Sequence, residues 1–427
     1  MLAYINIVGG IKMILNEVDT SLKIDVEEGQ ENLLGEFAIE QVKDELDLIV
    51  AMDPGSTSCR TVVLDSTSNP NMDVYVMPSA CAYIPKDTPV KGVGKTLYEQ
   101  MYSTISNHMI TIDTKLKERN VIRGTIQDNM LIGEESITNS DGKVNSELLY
   151  VNIIDSIMYT VIQRYNGKVP EKLRVTLAIA LPPSNVDDEM NVENFLSNIS
   201  STFTWTHGVS GVSCELSITA TEQLILTESD AYAKGYIFLE RQGVFPEVMI
   251  SMSAGGSTLG EDFMVNGSAR SALSATLNTS GSRVLEKLGR VIAKNKHIKE
   301  PKRKALQKAI KTGKIKLGNK EIDVVDDIEV VLEETAREIY TALNKKVFDR
   351  QAEYGIEDVN LFLMSGKAFR GGDYNVSILD YLEELIREQS PDAEIVYSDN
   401  EYIPKGLALL AFTLYGGILP ESPKWKK

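Results

Sequence analysis

The feature that most limits what this chain can fold into is a junction that occurs twice, roughly 200 residues apart. In its first form, Leu46-Asp47-Leu48-Ile49-Val50-Ala51-Met52 is an apolar run of strand length. Asp53-Pro54-Gly55-Ser56-Thr57-Ser58-Cys59-Arg60 is a tight polar turn, and Thr61 to Asp65 is a β-branched run leaving it. In its second form, Val248 to Met252 leads into Ser253-Ala254-Gly255-Gly256-Ser257-Thr258, and Leu259 to Val265 leaves that loop. Apolar runs of this length, interrupted by small turn formers, predict β-hairpins. The separation is too large for a solenoid repeat and suits two domains built on one plan.

The turns carry a specific chemistry. Gly55 lets backbone approach a ligand closely, and successive N–H groups with the hydroxyls of Ser56 and Thr57 can donate to phosphate oxygens. Arg60 adds positive charge beside them. An ordinary hydrogen-bonded hairpin turn uses the same residue types, so this stretch by itself leaves both readings open.

At 427 residues the chain has room for two domains or more, each with a sizeable core. Apolar content of 43% with 25% charged residues is that of a soluble globular protein. The formal charge of −17 opposes direct binding to nucleic acid or to an anionic membrane. Cys59, Cys81 and Cys214 are too few and too scattered for a disulfide framework or a zinc site, which points to reduced thiols in a cytoplasm. No apolar run approaches the ~18 residues of a membrane span. Met1 to Leu15 lacks a basic leader and a small-residue cleavage site, so no signal peptide is expected. Gly9-Gly10 ahead of Met13 fits a translated ribosome-binding sequence, with Met13 as an alternative start.

Along the chain, residues 16–45 read as an acidic extension that contributes a strand or lies along the surface, and residues 86–125 as a polar insertion packed on the first domain. Met72 to Tyr83 and Asn129 to Ser136 each suggest a strand. Leu148, Leu149, Ile153, Ile157, Val161 and Ile162 form one helical stripe that Asn166-Gly167 stops. Leu173 to Leu181, almost wholly apolar, predicts a central strand covered on both faces. Ser213 to Leu226 alternates like a strand and ends at Thr227-Glu228-Ser229, which opens a helix. Beyond the second hairpin, helices are expected from Ser280, from Asp326 and around Ile378–Ile386. Leu361-Phe362-Leu363-Met364 predicts a buried strand running into Ser365-Gly366-Lys367-Ala368, Glu394 to Tyr397 a short strand, and Pro404 onward a closing helix. Between Lys294 and Lys320 the only acid is Glu300, which suits a solvated helical face, a contact with acidic neighbours, or a nucleotide.

Three strand-to-loop junctions in this order, with Glu228 between the first two, resemble the actin-like ATPase superfamily, which also includes sugar kinases and chaperone ATPases. The resemblance runs from about Leu46 to Gly417. Asp53–Arg60 would be the first phosphate loop, Ala180-Leu181-Pro182-Pro183 the strand exit before the interdomain helix, Ser253–Thr258 the second phosphate loop and Ser365–Ala368 the adenosine loop. Within the superfamily the chain looks most like bacterial plasmid-segregation actins of the ParM type, through Asp-x-Gly-Ser-Thr, the Thr-Glu-Ser step, Asn278-Thr279-Ser280-Gly281-Ser282 and Lys311-Thr312-Gly313.

What the resemblance implies is an α/β, actin-like (ribonuclease H-like) two-domain fold with ATP (or GTP) and Mg2+ in the interdomain cleft. The first domain would span 46–245, the second 246–395, and a C-terminal strand and helix, 396–427, would return to the first. Asp53 would hold magnesium through water. Gly55, Ser56, Thr57 and Arg60, with Ser253, Gly255, Gly256, Ser257 and Thr258, would grip the phosphates. Gly281 would meet the ribose, Lys311 (or Lys308) the adenine side, and Ser365, Gly366 and Lys367 the adenosine. Glu228 would orient the attacking water, with Glu222 as the fallback. The implied partners are the protein itself, as a polymer, and a DNA-binding adaptor of a partition system, without direct contact to nucleic acid or membrane.

Two departures stand out. Ser253 and Gly260 occupy positions where the family carries aspartates, and Ser365 and Lys367 replace glycines of the adenosine loop. Loss of the first carboxylate removes an outer-shell magnesium partner, so slow hydrolysis is expected. A nucleotide-binding structural filament with little turnover, or a small-molecule kinase on the same fold, stands as the alternative function.

Overall fold

The computed structural model describes residues 39–55, 58–68, 72–79, 81–84, 102–106, 119–123, 143–207, 210–255, 258–277, 279, 281–317, 319–349, 355, 358–366, 369 and 377–423. The alternative start at Met13, the strand expected at 129–136 and most of the acidic extension lie outside these residues.

Strands β1 (Glu40–Pro54) and β2 (Ser58–Leu64) form the first hairpin, with Ile49 opposite Leu64 and Asp53 opposite Arg60. Residues 40–45 of the expected extension are already strand, because they pair in parallel with the strand that begins at Lys168. β3 (Val74–Pro78) adds to β2, while β4 (Cys81–Ile84), β5 (Tyr102–Ser106) and β6 (Arg119–Arg123) form the far edge of the sheet. Helix α1 (Glu147–Arg164) follows and stops where Asn166 and Gly167 both take positive φ, 52° and 87°. Next come β7 (Lys168–Leu181), α2 (Pro183–Val186), α3 (Glu189–Ile199), β8 (Thr202–His207), β9 (Ser213–Thr227) and α4 (Glu228–Glu240).

The second hairpin is β10 (Val248–Ala254) with β11 (Leu259–Val265), joined by β12 (Ser268–Ala269) and β13 (Ala275–Leu277). After α5 (Gly281–Asn295) and α6 (Arg303–Thr312), β14 (Lys314–Leu317) and β15 (Lys320–Asp323) make a small hairpin. The chain closes with α7 (Val325–Lys346), β16 (Leu361–Ser365), α8 (Ile378–Gln389), β17 (Glu394–Ser398) and α9 (Tyr402–Leu414).

Both large sheets share one order. In the first, β3-β2-β1 run antiparallel to one another and β1-β7-β9 run parallel; in the second, β12-β11-β10 are antiparallel and β10-β16-β17 parallel. The first sheet continues past β9 through β8, β5, β6 and β4. One expectation needs correction here. The strand at 394–398 does not return to the first domain but pairs with β16, so only α9 crosses over. A short strand of this kind carries no local signal for the sheet it joins, and here its backbone groups pair with the open edge of β16.

Alternation along the central strands explains the layers. Leu46, Leu48, Val50 and Met52 of β1 enter one core with α1, whereas Ile49 and Ala51 enter another. That second core lies between the sheets and also takes Tyr232 and Ile237 of α4, Met249 and Met264 of the second hairpin, and Leu407 and Ala411 of α9. A third core fills the outer face of the second sheet under α5, α7 and α8.

Helices α4 and α9 thus form the shared middle layer, and they touch backbone to backbone. A Cβ at Gly235 would fall 2.0 Å from the Tyr402 carbonyl oxygen, and one at Gly406 would fall 2.0 Å from that of Ala231. No side chain fits at either point. Overpacking of a filled core costs ~1–3 kcal/mol, so Gly406→Ala is expected to lower the thermal midpoint by roughly 1–3 °C in calorimetry. An unchanged midpoint would mean that these helices are not in contact.

Candidate functional site

In open sheets with parallel strands, ligands bind beyond the carboxyl ends of those strands. The first sheet brings three such ends side by side. β1 delivers Asp53, β7 delivers Pro182 after Leu181, and β9 delivers Glu228 after Thr227, with Leu181 opposite Thr227 in register. The second sheet delivers Ser253 on β10 and Ser365 on β16, which are direct neighbours in register.

Asp53 is buried at 3% exposure, and its Oδ2 accepts a hydrogen bond from the Arg60 guanidinium at 3.0 Å. The turn beyond it is laced from within. Gly55 N–H donates to the Asp53 carbonyl at 3.0 Å, and Ser79 Oγ donates to the Gly55 carbonyl at 2.6 Å. A Cβ at Gly55 would lie 2.8 Å from the Ser58 carbonyl oxygen, so the turn closes this tightly only around glycine. Ser56 and Thr57 lie outside the described residues, as do Gly256, Ser257 and Lys367.

The second loop repeats the device. Gly255 N–H donates to the Thr258 carbonyl at 2.8 Å, and the first N–H of α5, at Gly281, reaches the Gly255 carbonyl at 3.5 Å. Gly366, at φ 118°, packs onto the same loop, where a Cβ would fall 2.0 Å from the Ala254 carbonyl oxygen. Tyr397 hydroxyl fastens it by donating to the Gly366 carbonyl at 2.9 Å. Ser253, Gly255, Gly281, Ser365 and Gly366 are therefore gathered at one place. Lys308 and Lys311 sit exposed on α6, and Glu222 is exposed within an irregularity of β9.

Glu228 is the first residue of α4 and is buried at 6% exposure. Its two neighbours are tied to the second sheet. The Oδ2 of Asp262, on β11, accepts hydrogen bonds from Thr227 Oγ1 and from Ser229 Oγ, the latter at 2.5 Å. Thr227 Oγ1 also caps α4 by accepting the Asp230 N–H at 3.0 Å, and Ser251 Oγ donates to the Ser229 carbonyl at 2.7 Å.

The sequence matches no protein-family model and no curated protein. Solved structures do match. Ta0583, an archaeal actin homolog, aligns over 86% of this chain and 99% of its own at 15% identity and a TM-score of 0.59. The actin-like protein Alp7A aligns over 88% of this chain and 98% of its own, at 16% identity and 0.59. Bacillus thuringiensis ParM, solved with ATP, aligns over 87% and 99%, at 14% identity and 0.56. This chain has the actin-like fold.

The absence of a side chain at Gly260 has a structural correlate. Gly260 pairs with Ser253 across the hairpin, and a Cβ there would meet Pro183 Cδ at 3.2 Å and Ser229 Oγ at 3.4 Å. A side chain there would press on the ring of Pro183 and lie in contact with the Ser229 hydroxyl. Asp262, two residues on, takes up the contact with Ser229. Sequence reasoning stopped at Gly260 and passed over Asp262, although the two-residue period of a strand puts both on one face.

Among the described residues no three His, Cys, Asp or Glu side chains converge to hold a metal directly. Beside the second glycine turn and Gly366, the Ser365 hydroxyl is buried with no hydrogen-bond partner.

Behind the second loop, Glu261 faces inward from β11. Burial pushes its carboxyl up to about 8, with the Asp262 charge adding to the shift and Lys346 opposing it. The folded chain thus keeps a proton there that the unfolded chain releases near the ordinary value of 4.5. Unfolding releases that proton between those values, so stability falls as pH rises through this window. The thermal midpoint of Glu261→Gln should exceed that of the wild type by a margin that is larger at pH 8.5 than at pH 5.5. A constant margin would contradict the burial of an acid here.

Proposed function

We propose that this protein is a nucleotide-dependent, filament-forming actin-like ATPase that segregates plasmid DNA through an adaptor protein. The observation that carries this reading is one hairpin plan present in both sheets, each with a glycine turn at the carboxyl end of its central strand, and the tie of the second hairpin to the start of α4 through Asp262. Support also comes from a protein of the same fold, Bacillus thuringiensis ParM, solved with ATP, AMPPNP and ADP. The lobes would be 46–245 and 246–395, with α9 crossing back to the first.

Nucleotide, ATP or GTP, would lie between the sheets. Gly55, Ser56, Thr57 and Arg60 would donate to its terminal phosphates from one side, and Gly255, Gly256, Ser257 and Thr258 from the other. Gly281, at the N-terminus of α5, would approach the ribose, and Ser365, Gly366 and Lys367 would border the adenosine, with Lys311 toward the base. Magnesium, when bound, neutralises phosphate charge. Asp53 would orient water around it, and Glu228 would orient the water that attacks. Phosphoryl transfer relies on such positioning and on electrostatics, so a buried glutamate at the sheet's edge suits the task.

Assembly into a polymer follows from the actin-like reading, and the chain's charge of −17 suits a basic DNA-binding adaptor rather than DNA itself. None of the helices among the described residues is long and apolar enough to cross a membrane, and a cytoplasmic location is part of the proposal. Ser253 favours a second reading, a structural filament with little turnover, because a hydroxyl stands where the family's acid would serve the metal shell.

Sedimentation at micromolar protein tests the proposal. Polymer is expected with magnesium and ATP or GTP and not without nucleotide; no nucleotide-dependent polymer would overturn it. Glu228→Ala should bind nucleotide normally, release phosphate at least tenfold more slowly, and lengthen polymer lifetime. Wild-type release at background from a protein that still polymerises would select the second reading.

A further inference from the structure

We infer that Asp262 is a positioning residue for Glu228: through the hydroxyls of Thr227 and Ser229 its carboxylate sets where the water-orienting glutamate stands relative to the second glycine turn. The inference rests on the role proposed above for Glu228 and goes beyond it, because Asp262 belongs to neither expected phosphate loop.

One oxygen, Asp262 Oδ2, receives both hydroxyls that flank Glu228, one from Thr227 and one from Ser229 at 2.5 Å. Both donors lie on the first sheet's side of the molecule, at the end of β9 and the start of α4, while the acceptor lies on β11, the outgoing strand of the second hairpin. Asp262 is 1% exposed. Hydroxyl-to-carboxylate bonds in so dry a place are charge-assisted and strong. Ser251 adds a third tie when its Oγ donates to the Ser229 carbonyl at 2.7 Å. The backbone on each side of Glu228 is thereby fastened to the hairpin that carries Gly255 and Thr258.

Two further observations bear on the role. Asp262 Oδ1 is buried with no hydrogen-bond partner. A residue kept only for fold stability would be costly in that state, since a half-satisfied buried carboxylate is worse than an apolar side chain. In addition, Thr227 uses one hydroxyl twice, donating to Asp262 and accepting the Asp230 N–H that begins α4. Movement of β11 relative to the first sheet would therefore be transmitted to the first turn of α4, where Glu228 sits. The acid missing at Gly260 has a counterpart two residues away, but one that acts on the protein rather than on the metal shell.

The test compares Asp262→Ala and Asp262→Asn in the full chain, reading phosphate release, affinity for a fluorescent ATP analogue and the thermal midpoint. Asparagine keeps an acceptor oxygen for both hydroxyls; alanine removes it. Outer-shell partners of this kind are worth ~10–100-fold. Asp262→Ala is therefore expected to lower kcat at least tenfold with nucleotide affinity within about twofold of wild type, and Asp262→Asn to restore most of the loss. In a Glu228→Ala background, Asp262→Ala should lower turnover by less than about twofold, because both changes remove one function. Equal losses of affinity and turnover, no rescue by asparagine, or additive losses in the double variant would each overturn the inference. A wild-type protein that binds nucleotide without releasing phosphate would overturn the reading of Glu228 itself, and is told apart by the wild type alone.

Discussion

The structure depends on a contact with no side chains in it. Each of its two main sheets is apolar on both faces, so each must be covered twice, and the faces that look toward one another share a single layer made of α4 and α9. That layer is thin enough only because Gly235 and Gly406 let the two helices meet at their backbones. Polar ties then fix the angle of the layer. Tyr232 hydroxyl donates to the Met364 carbonyl at 2.7 Å and shares a bond with Ser398 at 2.6 Å, so α4 is moored to the second sheet even though it grows out of the first. Tyr402 of α9 donates to Glu240 at the other end of α4, at 2.5 Å.

From this arrangement the candidate site follows. Because α4 starts where β9 ends, its first turn lies at the carboxyl edge of the first sheet, and the moorings bring that edge against β10 and β11. Asp53 and Glu228 come from the first sheet, while Ser253, Gly255, Ser365 and Gly366 come from the second. Glycines are needed at these turns for distance rather than for unusual dihedral angles alone. Gly55 and Gly255 have no positive φ, yet the Cβ that each lacks would press on a carbonyl of its own turn. Gly366 needs both, since its φ is 118° and its missing Cβ would overlap the neighbouring loop.

Much of this was legible beforehand because it rests on local signals. The apolar run of β7 with its proline stop, the stripe of α1 ended by Asn166-Gly167, and the recurrence of one hairpin plan are all patterns of period and punctuation. So was the opening of a helix at Thr227-Glu228-Ser229. The parts that were not legible depend on which segments meet. β17 reads as a short edge strand whichever sheet it joins, and only the pairing with β16 decides. Asp262 is an unremarkable acid in a strand until Pro183 fills the space beside Gly260 and the hydroxyls of Thr227 and Ser229 arrive from another element. The roles of Lys311 and Glu222 belong to the same class, since exposure on a helix or in a strand irregularity says nothing of a ligand.

The central claim is that the two glycine turns hold one phosphate chain between them. A crystal structure of the protein with a non-hydrolysable ATP or GTP analogue and magnesium tests it most directly. Phosphate oxygens are expected to accept backbone N–H bonds from the turn after Asp53 and from the turn after Ser253, with the ribose against Gly281. A nucleotide bound elsewhere, or touching only one turn, would contradict it.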